Sequence, residues 1–503
     1  MKILLVVQNA KKWPLQIAGV EVVSARKYIT EPVFSRLSGV RAFNLTRVQR
    51  YQSIGYYVSL LAEARGHKPV PSITTLRDLQ TPAMVRAASA EIEERLEKDL
   101  AQIKGDHFTL SIYFGRNVAK RYDRLCKELF NLFHAPLLRA EFSRGRTGWQ
   151  LQNINTISIT EIPESHHGFV QQVAEQYLST AGYRSRRRQE YRYAMAILHK
   201  ENDPMGPSNE RALNRFIRAG QKVGIDVELI TKEDFGRLRE FDALFIRETT
   251  SVNDHTFRFA RLAEAEGLVV IDDPQSIIKC ANKVYLAEMM AHQHVSTPHT
   301  MIVHKDNVDL IVHELGLPCV LKQPDSSFSV GVKKVATKEE LESEAQAMLD
   351  RSELIIAQEF VPTEFDWRVG VLEGRALYVC RYYMARKHWQ IVHHKATGRR
   401  EMGRFDTLAL AEAPPEVVKL ALRSTDSIGN GLYGVDIKQV NGRFCVMEVN
   451  DNPNIDAGVE DKILKDELYD VIMRTFLKRI EAKKSPSRKE APAHERAERA
   501  TTA

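Results

Sequence analysis

The chain has 503 residues, a formal net charge of +7, and 43% hydrophobic residues. Its length predicts about three domains, and its ordinary composition excludes a collagen-like or wholly disordered protein. No run of about 18 apolar residues occurs, so the sequence predicts no membrane-spanning helix. Five scattered cysteines without a CxxC spacing favour the reducing cytoplasm over a disulfide framework or a zinc ribbon.

Residues 1–183 are predicted to form an N-terminal mixed domain of unclear role. The apolar residues at 3–7 predict a buried first strand rather than a signal peptide. Helical apolar spacing predicts helices over 51–64 and 82–103, and alternation of apolar and polar residues predicts a strand over 156–162. The arginine-rich residues 184–192 are typical of a solvated linker, with a docking patch for an acidic substrate or partner as the alternative.

Residues 194–273 are predicted to form a small α/β domain. A helix begins after Pro207 and Ser208, and a second helix spans 257–265. These helices alternate with short apolar strands, and this alternation implies a small parallel sheet. The predicted strands are residues 194–198, 226–230, 243–246 and 268–271.

Residues 274–482 form the third predicted domain. It opens with a helix over 283–292 and continues largely as strands and hairpins, followed by helices over 415–428 and 461–480. Residues 483–503 contain two prolines and many charges, which predicts a disordered tail.

The densest group of chemically useful side chains lies in a predicted hairpin of this third domain. Glu448 and Asn450 are two residues apart, so their side chains share one face of a strand. A two-residue Asn441-Gly442 turn would place Asp436 on the face opposite to Glu448, whereas a three-residue loop would place the two directly opposite each other. We therefore predict the three-residue loop or an equivalent bulge.

Two carboxylates and an amide oxygen are hard ligands. In the favourable register they suit Mg²⁺ that holds a nucleotide's phosphates. The alternative interpretation of Asp436, Glu448 and Asn450 is a polar face on an exposed hairpin, because charged side chains are mostly exposed.

Two lysines and a loop form a second group. Lys322 ends a predicted strand, and a loop rich in serine and glycine follows it at residues 325–332. Such a loop can offer amides and hydroxyls to phosphate oxygens, while Lys322 supplies a point charge. Lys283 begins a helix. Taken singly, both lysines are more typical of a solvated surface.

A third group comprises the strand 355–361 and the hairpin that follows it. A turn at Glu373-Gly374 predicts that Asp366 faces Arg381 across the hairpin. Without the other groups, this pair would be an ordinary cross-strand salt bridge.

Together these residues resemble the RimK-like branch of the ATP-grasp superfamily of carboxylate–amine ligases. The resemblance covers residues 194–480, and residues 1–183 are similar to the N-terminal domain attached to some RimK-like proteins. It implies an α/β and α+β multidomain protein. An ATP-grasp core at 274–482 is preceded by the small parallel-sheet domain at 194–273 and by the extra N-terminal mixed domain.

The resemblance also implies roles for individual residues. Lys283 and Lys322 correspond to lysines that touch the nucleotide phosphates, and the loop from Ser326 through Ser327 to Gly331 corresponds to a flap over them. The remaining correspondences are Gln358, Glu359 and Val361 at the adenine, Asp366 at the ribose, Arg368 in the family's Asp-x-Arg strand, Arg381 at the transferred phosphoryl group, and Asp436, Glu448 and Asn450 as metal ligands.

The implied reaction joins a carboxylate to an amine through an acyl phosphate and releases ADP and phosphate. ATP and Mg²⁺, or Mn²⁺ in its place, would be required. The substrates would be glutamate or another amino acid and a small molecule, peptide or protein, in the cytoplasm and without a membrane partner. The resemblance leaves open whether the protein forms a homo-oligomer, and it disfavours nucleic acid as a partner. The alternatives are a kinase on the same scaffold and a non-enzymatic nucleotide- or nucleic-acid-binding scaffold.

One segment departs from the family pattern. Ribosomal-protein glutamate ligases of this branch carry Arg-Ser-Asn shortly after the arginine that Arg381 matches, and this chain has different residues at 388–392. We therefore expect a different acceptor, with Lys387, His388 and His394 as candidates for part of the missing role.

Overall fold

A computed structural model describes residues 2–484, apart from 16, 18, 19, 38, 49, 146–147, 189–190, 204, 326–330, 387 and 395–399. Its internal contacts divide the chain into two compact units. The first comprises Met1–Arg192 and Glu233–Glu240, and the second comprises Tyr193–Lys232 and Phe241–Ala503.

The first unit contains a parallel sheet and an antiparallel sheet. The parallel sheet has the strand order β2-β1-β3-β4, and the antiparallel sheet has the order β5-β6-β7. The strands are β1 (Lys2–Val7), β2 (Glu21–Ser24), β3 (Val40–Asn44), β4 (Lys68–Val70), β5 (His107–Tyr113), β6 (Leu137–Gly145) and β7 (Gly148–Thr156). The helices are α1 (Ala25–Thr30), α2 (Pro32–Ser35), α3 (Ile54–Ala64), α4 (Ile73–Leu79), α5 (Pro82–Glu91), α6 (Glu93–Leu100), α7 (Asp123–Leu132) and α8 (His167–Arg188).

Several predictions for this unit need correction. The strand predicted over 156–162 is wrong, because β7 ends at Thr156 and a 3-10 turn follows, in which Glu161 accepts a hydrogen bond from the Ser158 amide. The helix predicted over 82–103 divides into α5 and α6 at Ile92. The arginine-rich residues predicted as a linker are helical as far as Arg188, where α8 ends, and the boundary between the two compact units follows Arg192.

A buried ion pair fixes residues 233–240 within the first unit. Arg41 on β3 lies 3.3 Å from the Glu240 carboxylate, and both side chains are buried. The Glu240 carbonyl also accepts a hydrogen bond from Lys68. Because an unpaired buried charge is costly, these contacts tie a segment distant in sequence to the parallel sheet.

The described residues of the second unit form four sheets. A parallel sheet has the order β11-β10-β8-β9, and antiparallel sheets have the orders β12-β15-β13-β14, β20-β17-β16-β21-β22 and β18-β19. Its first elements are β8 (Tyr193–Leu198), α9 (Glu210–Lys222), β9 (Ile225–Ile230), β10 (Ala243–Ile246), α10 (His255–Ala265), β11 (Val269–Ile271), α11 (Pro274–Ala281), α12 (Lys283–His292), β12 (Thr300–Val303) and α13 (Ile311–Leu315).

Its later elements alternate between the antiparallel sheets and helices that cover them. They are β13 (Cys319–Lys322), β14 (Val332–Val335), α14 (Lys338–Leu349), β15 (Ile355–Glu359), β16 (Phe365–Leu372), β17 (Arg375–Tyr383), β18 (Val392–His394), β19 (Arg400–Met402), β20 (Phe405–Leu408), α15 (Pro415–Thr425), β21 (Leu432–Val440), β22 (Arg443–Asp451) and α16 (Asp466–Lys484).

The predicted multidomain α/β and α+β class is confirmed. The four strands predicted for the small parallel sheet are present within a residue of their expected bounds. The helix over 283–292 is confirmed, and Lys483 and Lys484 still belong to α16. The remaining tail residues, 485–503, lie outside the described residues. In the described part of the chain, no helix is both long and apolar enough to cross a membrane.

Two buried cores hold the site in place. One face of the five-stranded sheet packs on α12 and α15 through residues such as Val369, Val435 and Val449. In the other core, Phe216 of α9 and Tyr469 of α16 pack edge to face, with ring centroids 4.7 Å apart. The opposite face of the five-stranded sheet carries the polar residues of the candidate site.

Removing the Glu240 carboxylate should destabilise the first unit, because Arg41 would stay buried without its counter-charge. We expect the Glu240→Gln variant to lose about 3 kcal/mol of local stability, seen as faster hydrogen exchange of the β3 amides. The control is Glu21→Gln, which breaks an exposed pair with Lys2 and should cost less than about 1 kcal/mol. Equal exchange rates of the β3 amides in the two variants would contradict the assignment of Glu240 as the necessary counter-charge of Arg41.

Candidate active site

The hairpin of β21 and β22 sets the register on which the candidate site depends. Asn441 and Gly442 both have positive φ, 50° and 76°, and form a two-residue turn. Ile437 therefore pairs with Val446, but Asp436 pairs with Glu448. The extra residue is Met447. The predicted three-residue loop is wrong, and the predicted alternative, an equivalent bulge, is confirmed.

The bulge brings three polar side chains onto one face. Asp436 lies directly opposite Glu448, and Gly434 lies opposite Asn450. The Asn450 amide donates to Asp436 Oδ2 at 3.2 Å, which leaves its side-chain oxygen available. Two carboxylates and an amide oxygen in this arrangement fit the oxygen ligands that Mg²⁺ prefers.

Cationic side chains neutralise the two carboxylates. Arg368 on β16 donates to both oxygens of Asp436, at 2.5 and 2.8 Å. Lys283, at the first turn of α12, lies 2.9 Å from Glu448 Oε1. Burial raises the pKa of Asp436 against the opposing effect of Arg368. For Glu448, burial acts in the same direction, but Lys283 and Lys322 outweigh it and lower its pKa.

A second sheet contributes the opposite wall of the cleft. Lys322, at the end of β13, donates to Gln358 Oε1 at 2.8 Å, and Gln358 on β15 donates to Thr300. Burial lowers the pKa of Lys322 to about 8, with Glu448 opposing the shift and Lys283 adding to it. Lys322 is therefore a half-buried cation whose positive charge is only partly compensated by Glu448.

Asp366 lies in the same cleft but has a partner that the sequence analysis missed. Lys438 donates to Asp366 Oδ1 at 2.7 Å, and the hydroxyl of Thr363 donates to the same oxygen at 2.9 Å. Lys438 is two residues beyond Asp436 on β21. That spacing was the signal that placed both side chains on one face.

These residues line one cleft of about 150 Å³. Its walls include Lys283, Lys322, Gln358, Glu359, Val361, Asp366, Asp436 and Glu448. It is also lined by Phe360 and Trp389, whose rings pack edge to face at 5.8 Å. Trp367, by contrast, is buried in the core that packs on the other face of the five-stranded sheet. No spacing pattern in the sequence pointed to Trp389.

A second cavity, of about 440 Å³, also borders the two carboxylates, Asp436 and Glu448. Asp436, Glu448, Asn450 and Arg368 contribute to it. It is also lined by the loop of residues 249–252, by Tyr382 and by Arg404. The two cavities share Asp436 and Glu448, so a group placed between these carboxylates could be reached from both.

Buried polar contacts hold the strand end that follows Asn450. Arg247 donates to the Asn452 side chain at 2.7 Å and to the Pro453 carbonyl at 2.8 Å. Asp272 accepts from the amides of Leu432 and Asn452, both at 2.7 Å. Burial lowers the pKa of Arg247 to about 10 and raises that of Asp272 to about 7. These contacts fix β21 and β22 beside the cavity.

The structure does not bring Arg381 to this face. The predicted pairing with Asp366 is wrong, because a register shift in the β16–β17 hairpin pairs Arg381 with Trp367 instead. Trp367 and Arg368 are adjacent and point to opposite faces. The Arg381 guanidinium lies 5.8 Å from the Trp367 ring centroid, on the face opposite to Asp436.

Several sequence-predicted residues cannot be placed. Ser326, Ser327 and Lys387 lie outside the described residues, as does the side chain of His394. Gly331, the last residue of the predicted flap, has φ 78°, and its carbonyl accepts from the Gln323 amide. The His388 ring stacks on Trp389 at 6.0 Å.

Comparison with known proteins assigns both units. Residues 280–469 match the family described as the RimK-like ATP-grasp domain, and residues 25–173 match the RimK-like ATPgrasp N-terminal domain. A probable alpha-L-glutamate ligase of Syntrophotalea carbinolica is 26% identical over 239 residues, 47% of this chain and 76% of that protein. Probable alpha-L-glutamate ligase 2 of Shewanella sp. (strain MR-4) is 26% identical over 251 residues, 49% and 81% of the two chains.

A solved structure, D-alanine–D-alanine ligase from Bacillus anthracis, aligns with a TM-score of 0.45 and 17% identity, covering 58% of this chain and 99% of that one. The family matches and the site define an ATP-grasp enzyme of the ATP-dependent carboxylate–amine ligase class. The two matched segments, residues 25–173 and residues 280–469, correspond to the two domains of RimK-like ATP-grasp proteins.

Deprotonation of Lys322 should weaken ATP binding at alkaline pH. A phosphate bound beside Lys322 would raise the lysine's pKa from about 8, so the affinity for ATP should be constant below pH 8 and fall above it, by at most about tenfold per pH unit. Calorimetric titration with ATP between about pH 7 and about pH 9.5 measures this change in affinity.

The Lys322→Arg variant should lose this alkaline decline, because guanidinium stays charged. Lys333→Arg is the matched control, since Lys333 lies on the neighbouring strand and is exposed. A decline that persists unchanged in Lys322→Arg would assign it to another group.

Arg368 and Arg381 should behave differently when truncated. Arg368→Met should reduce kcat by about 10²–10³-fold, because it removes a bidentate charged contact at Asp436. Arg381→Met should act mainly on thermal stability, because its guanidinium packs on Trp367 and Phe365. Steady-state rates and melting temperatures of both variants test this contrast. A larger loss of kcat in Arg381→Met would overturn the placement.

Proposed function

We propose that the cleft binds ATP and joins a substrate carboxylate to an amine through an acyl phosphate. The observation that carries this proposal is that Asp436 and Glu448 border two adjoining cavities. Lys283 and Lys322 line the smaller one, and Arg368 and Asn450 line the larger one. In the proposed reaction, anionic oxygens must approach one another, so fixed positive charge lowers the barrier.

The proposed reaction has two steps. A carboxylate oxygen of the substrate attacks the γ-phosphorus of ATP, and the bond to the β,γ-bridging oxygen breaks to release ADP. The nitrogen of a neutral amine then attacks the acyl carbon, the bond from that carbon to the phosphate oxygen breaks, and phosphate leaves. The amine gives up one proton. Water must be excluded meanwhile, because an acyl phosphate hydrolyses.

The two walls of the 150 Å³ cleft suit the parts of ATP. We assign the adenine to the strand end at Gln358, Glu359 and Val361, which Phe360 and Trp389 extend with aromatic surface. We assign the ribose to Asp366. The phosphates would then reach Lys283 and Lys322, and the loop that contains Ser326, Ser327 and Gly331 would cover them.

Asp436, Glu448 and Asn450 would hold Mg²⁺, or Mn²⁺ in its place. In the described part of the chain, no three His, Cys, Asp or Glu side chains form a metal-binding group, so the set needs an amide oxygen and phosphate oxygens to complete it. The bound ion would neutralise phosphate charge. The chain's own part is to hold both carboxylates ionised on one face.

Arg368 is the residue that we assign to the reacting groups. It borders the 440 Å³ cavity and touches Asp436, so it lies where a transferred phosphoryl group would meet a substrate carboxylate. Arg381 is not part of this assignment, because it lies on the opposite face of the sheet.

The larger cavity is our proposed site for the second substrate. Two similar proteins are named as probable alpha-L-glutamate ligases, which favours glutamate as one substrate. Arg404 and Arg368 could receive its carboxylates, since guanidinium pairs well with carboxylate. The partner substrate would be another small molecule, a peptide or a protein. Free cysteine thiols and ATP dependence favour the cytoplasm.

A substrate panel tests the proposed reaction. ADP release should require both a carboxylate and an amine, and mass spectrometry should show a product with the mass of the two substrates less one water. Glu448→Gln should lose at least about 10²-fold in rate because it removes a ligand charge. Glu342→Gln on α14 is the matched control, because its carboxylate is exposed.

Two outcomes would contradict the proposal. One is a stable phosphorylated product without an amide, which would identify a kinase. The other is steeply salt-dependent binding of nucleic acid without any affinity for ATP, which would identify a non-enzymatic scaffold.

A further inference from the structure

The first unit contains a cavity of about 690 Å³ that the proposed reaction does not use. It lies beyond the carboxyl ends of β1 and β3, where Gln8 and Asn9 follow one strand and Leu45 and Arg47 follow the other. Residues 52–55, at the start of α3, form a further wall.

The strand order of the parallel sheet explains why a cavity forms at this position. In the order β2-β1-β3-β4, the chain leaves β1 toward one edge of the sheet and leaves β3 toward the other. Loops that diverge in this way open a crevice at the carboxyl ends of the two central strands. In open parallel sheets such a switch point is the usual position of a ligand site.

The loop after β3 is built around a buried asparagine. Asn44 donates to the Gly55 carbonyl at 2.7 Å and accepts from the Thr46 hydroxyl at 2.6 Å. A Cβ at Gly55 would lie only 2.5 Å from Thr46 Oγ1, so this close approach of helix and loop requires glycine. The cavity wall is therefore held rigidly by Asn44.

Positive charge and donors face the cavity. Arg47 and Arg50 line it, together with Ile54 and Gly55 in the first turn of α3. Amides in a first helical turn have no partner within the helix, and the helix dipole adds to the attraction for an anion. The Ser53 side chain caps α3 by accepting from the Tyr56 amide.

The remaining walls of the cavity contain both a carboxylate that is already paired and apolar side chains. Glu161 lies 3.6 Å from Arg47 and accepts hydrogen bonds from the Ser158 amide and hydroxyl, so its charge is already engaged. Trp13 and Ile159 supply apolar surface. Within the described chain, the buried indole Nε1 of Trp13 has no hydrogen-bond partner, and an occupant with an acceptor would supply one.

We propose that this cavity binds a small organic anion. Its carboxylate or phosphate lies between Arg47, Arg50 and the start of α3, and its apolar part lies against Trp13. The chemistry shared by the two anions is charge-assisted hydrogen bonding to guanidinium and to backbone amides. This proposal is independent of the reaction assigned to the second unit.

Fluorine NMR of the full chain tests the proposal, with its four tryptophans labelled as 5-fluorotryptophan and assigned through single Trp→Phe variants. Glutarate and phenyl phosphate are the probes, in separate titrations. We expect one or both to shift the Trp13 resonance saturably and to leave Trp149, which is buried in the same unit, unshifted. The tighter of the two identifies the preferred anion.

Variants separate the site from general charge attraction. Arg47→Gln combined with Arg50→Gln should weaken binding by at least about tenfold, because two charged contacts are lost. Arg26→Gln combined with Arg36→Gln removes the same charge from exposed positions and should leave binding unchanged. An unshifted Trp149 resonance in each double variant reports an intact fold.

Two results would overturn the proposal: no saturable shift of Trp13 with either probe, or equal affinity in the Arg47/Arg50 variant and the parent chain. Neither result bears on ADP release, so failure here is distinct from failure of the proposed ligase reaction.

Discussion

The candidate active site depends on one inserted residue, Met447, in the hairpin of β21 and β22. With an unbroken two-residue turn, Asp436 would pair with Met447, and Glu448 would point into the apolar core. The bulge shifts the register by one residue and turns both Glu448 and Asn450 toward Asp436. The bulge leaves one residue unpaired in the hydrogen-bonded ladder. It thereby brings polar side chains of β22 into a cluster of oxygen ligands instead of into the core.

The carboxylates of this cluster are stable in the folded chain only because cationic side chains surround them. Asp436 and Glu448 are largely withdrawn from water, where uncompensated carboxylates would be strongly disfavoured. Arg368 and Lys283 neutralise them directly. Lys322, whose Nζ donates to Gln358 Oε1 at 2.8 Å, adds a positive charge that lowers the pKa of Glu448. Under the proposed function, a bound metal ion would take over the carboxylates, and the same cations would become available to phosphate oxygens.

Local patterns predicted much of the second unit. Alternating strands and helices gave the small parallel sheet, and the Asn441-Gly442 pair marked the hairpin. The register near Arg381 could not be predicted, because a bulge depends on how both faces of a sheet pack rather than on the turn. Likewise, the partnership of Arg41 with Glu240 joins residues that are distant in the sequence, so no local pattern could predict it.

The proposed anion cavity and part of the second-substrate cavity follow from one constraint on parallel sheets. Strands of one direction end at the same edge, so their loops gather polar residues there. In the first unit these are the loops after β1 and β3, and in the second they include residues 249–252 after β10. The cleft to which we assign ATP has a different origin: it lies along antiparallel strands, so alternation of side chains along β15, β16 and β21 selects its residues. A shift of one residue in the pairing of these antiparallel strands would therefore turn the side chains of the proposed ATP cleft to the other face of the sheet. The cavity at the ends of the parallel strands is formed by loops, so its residues do not depend on such a pairing.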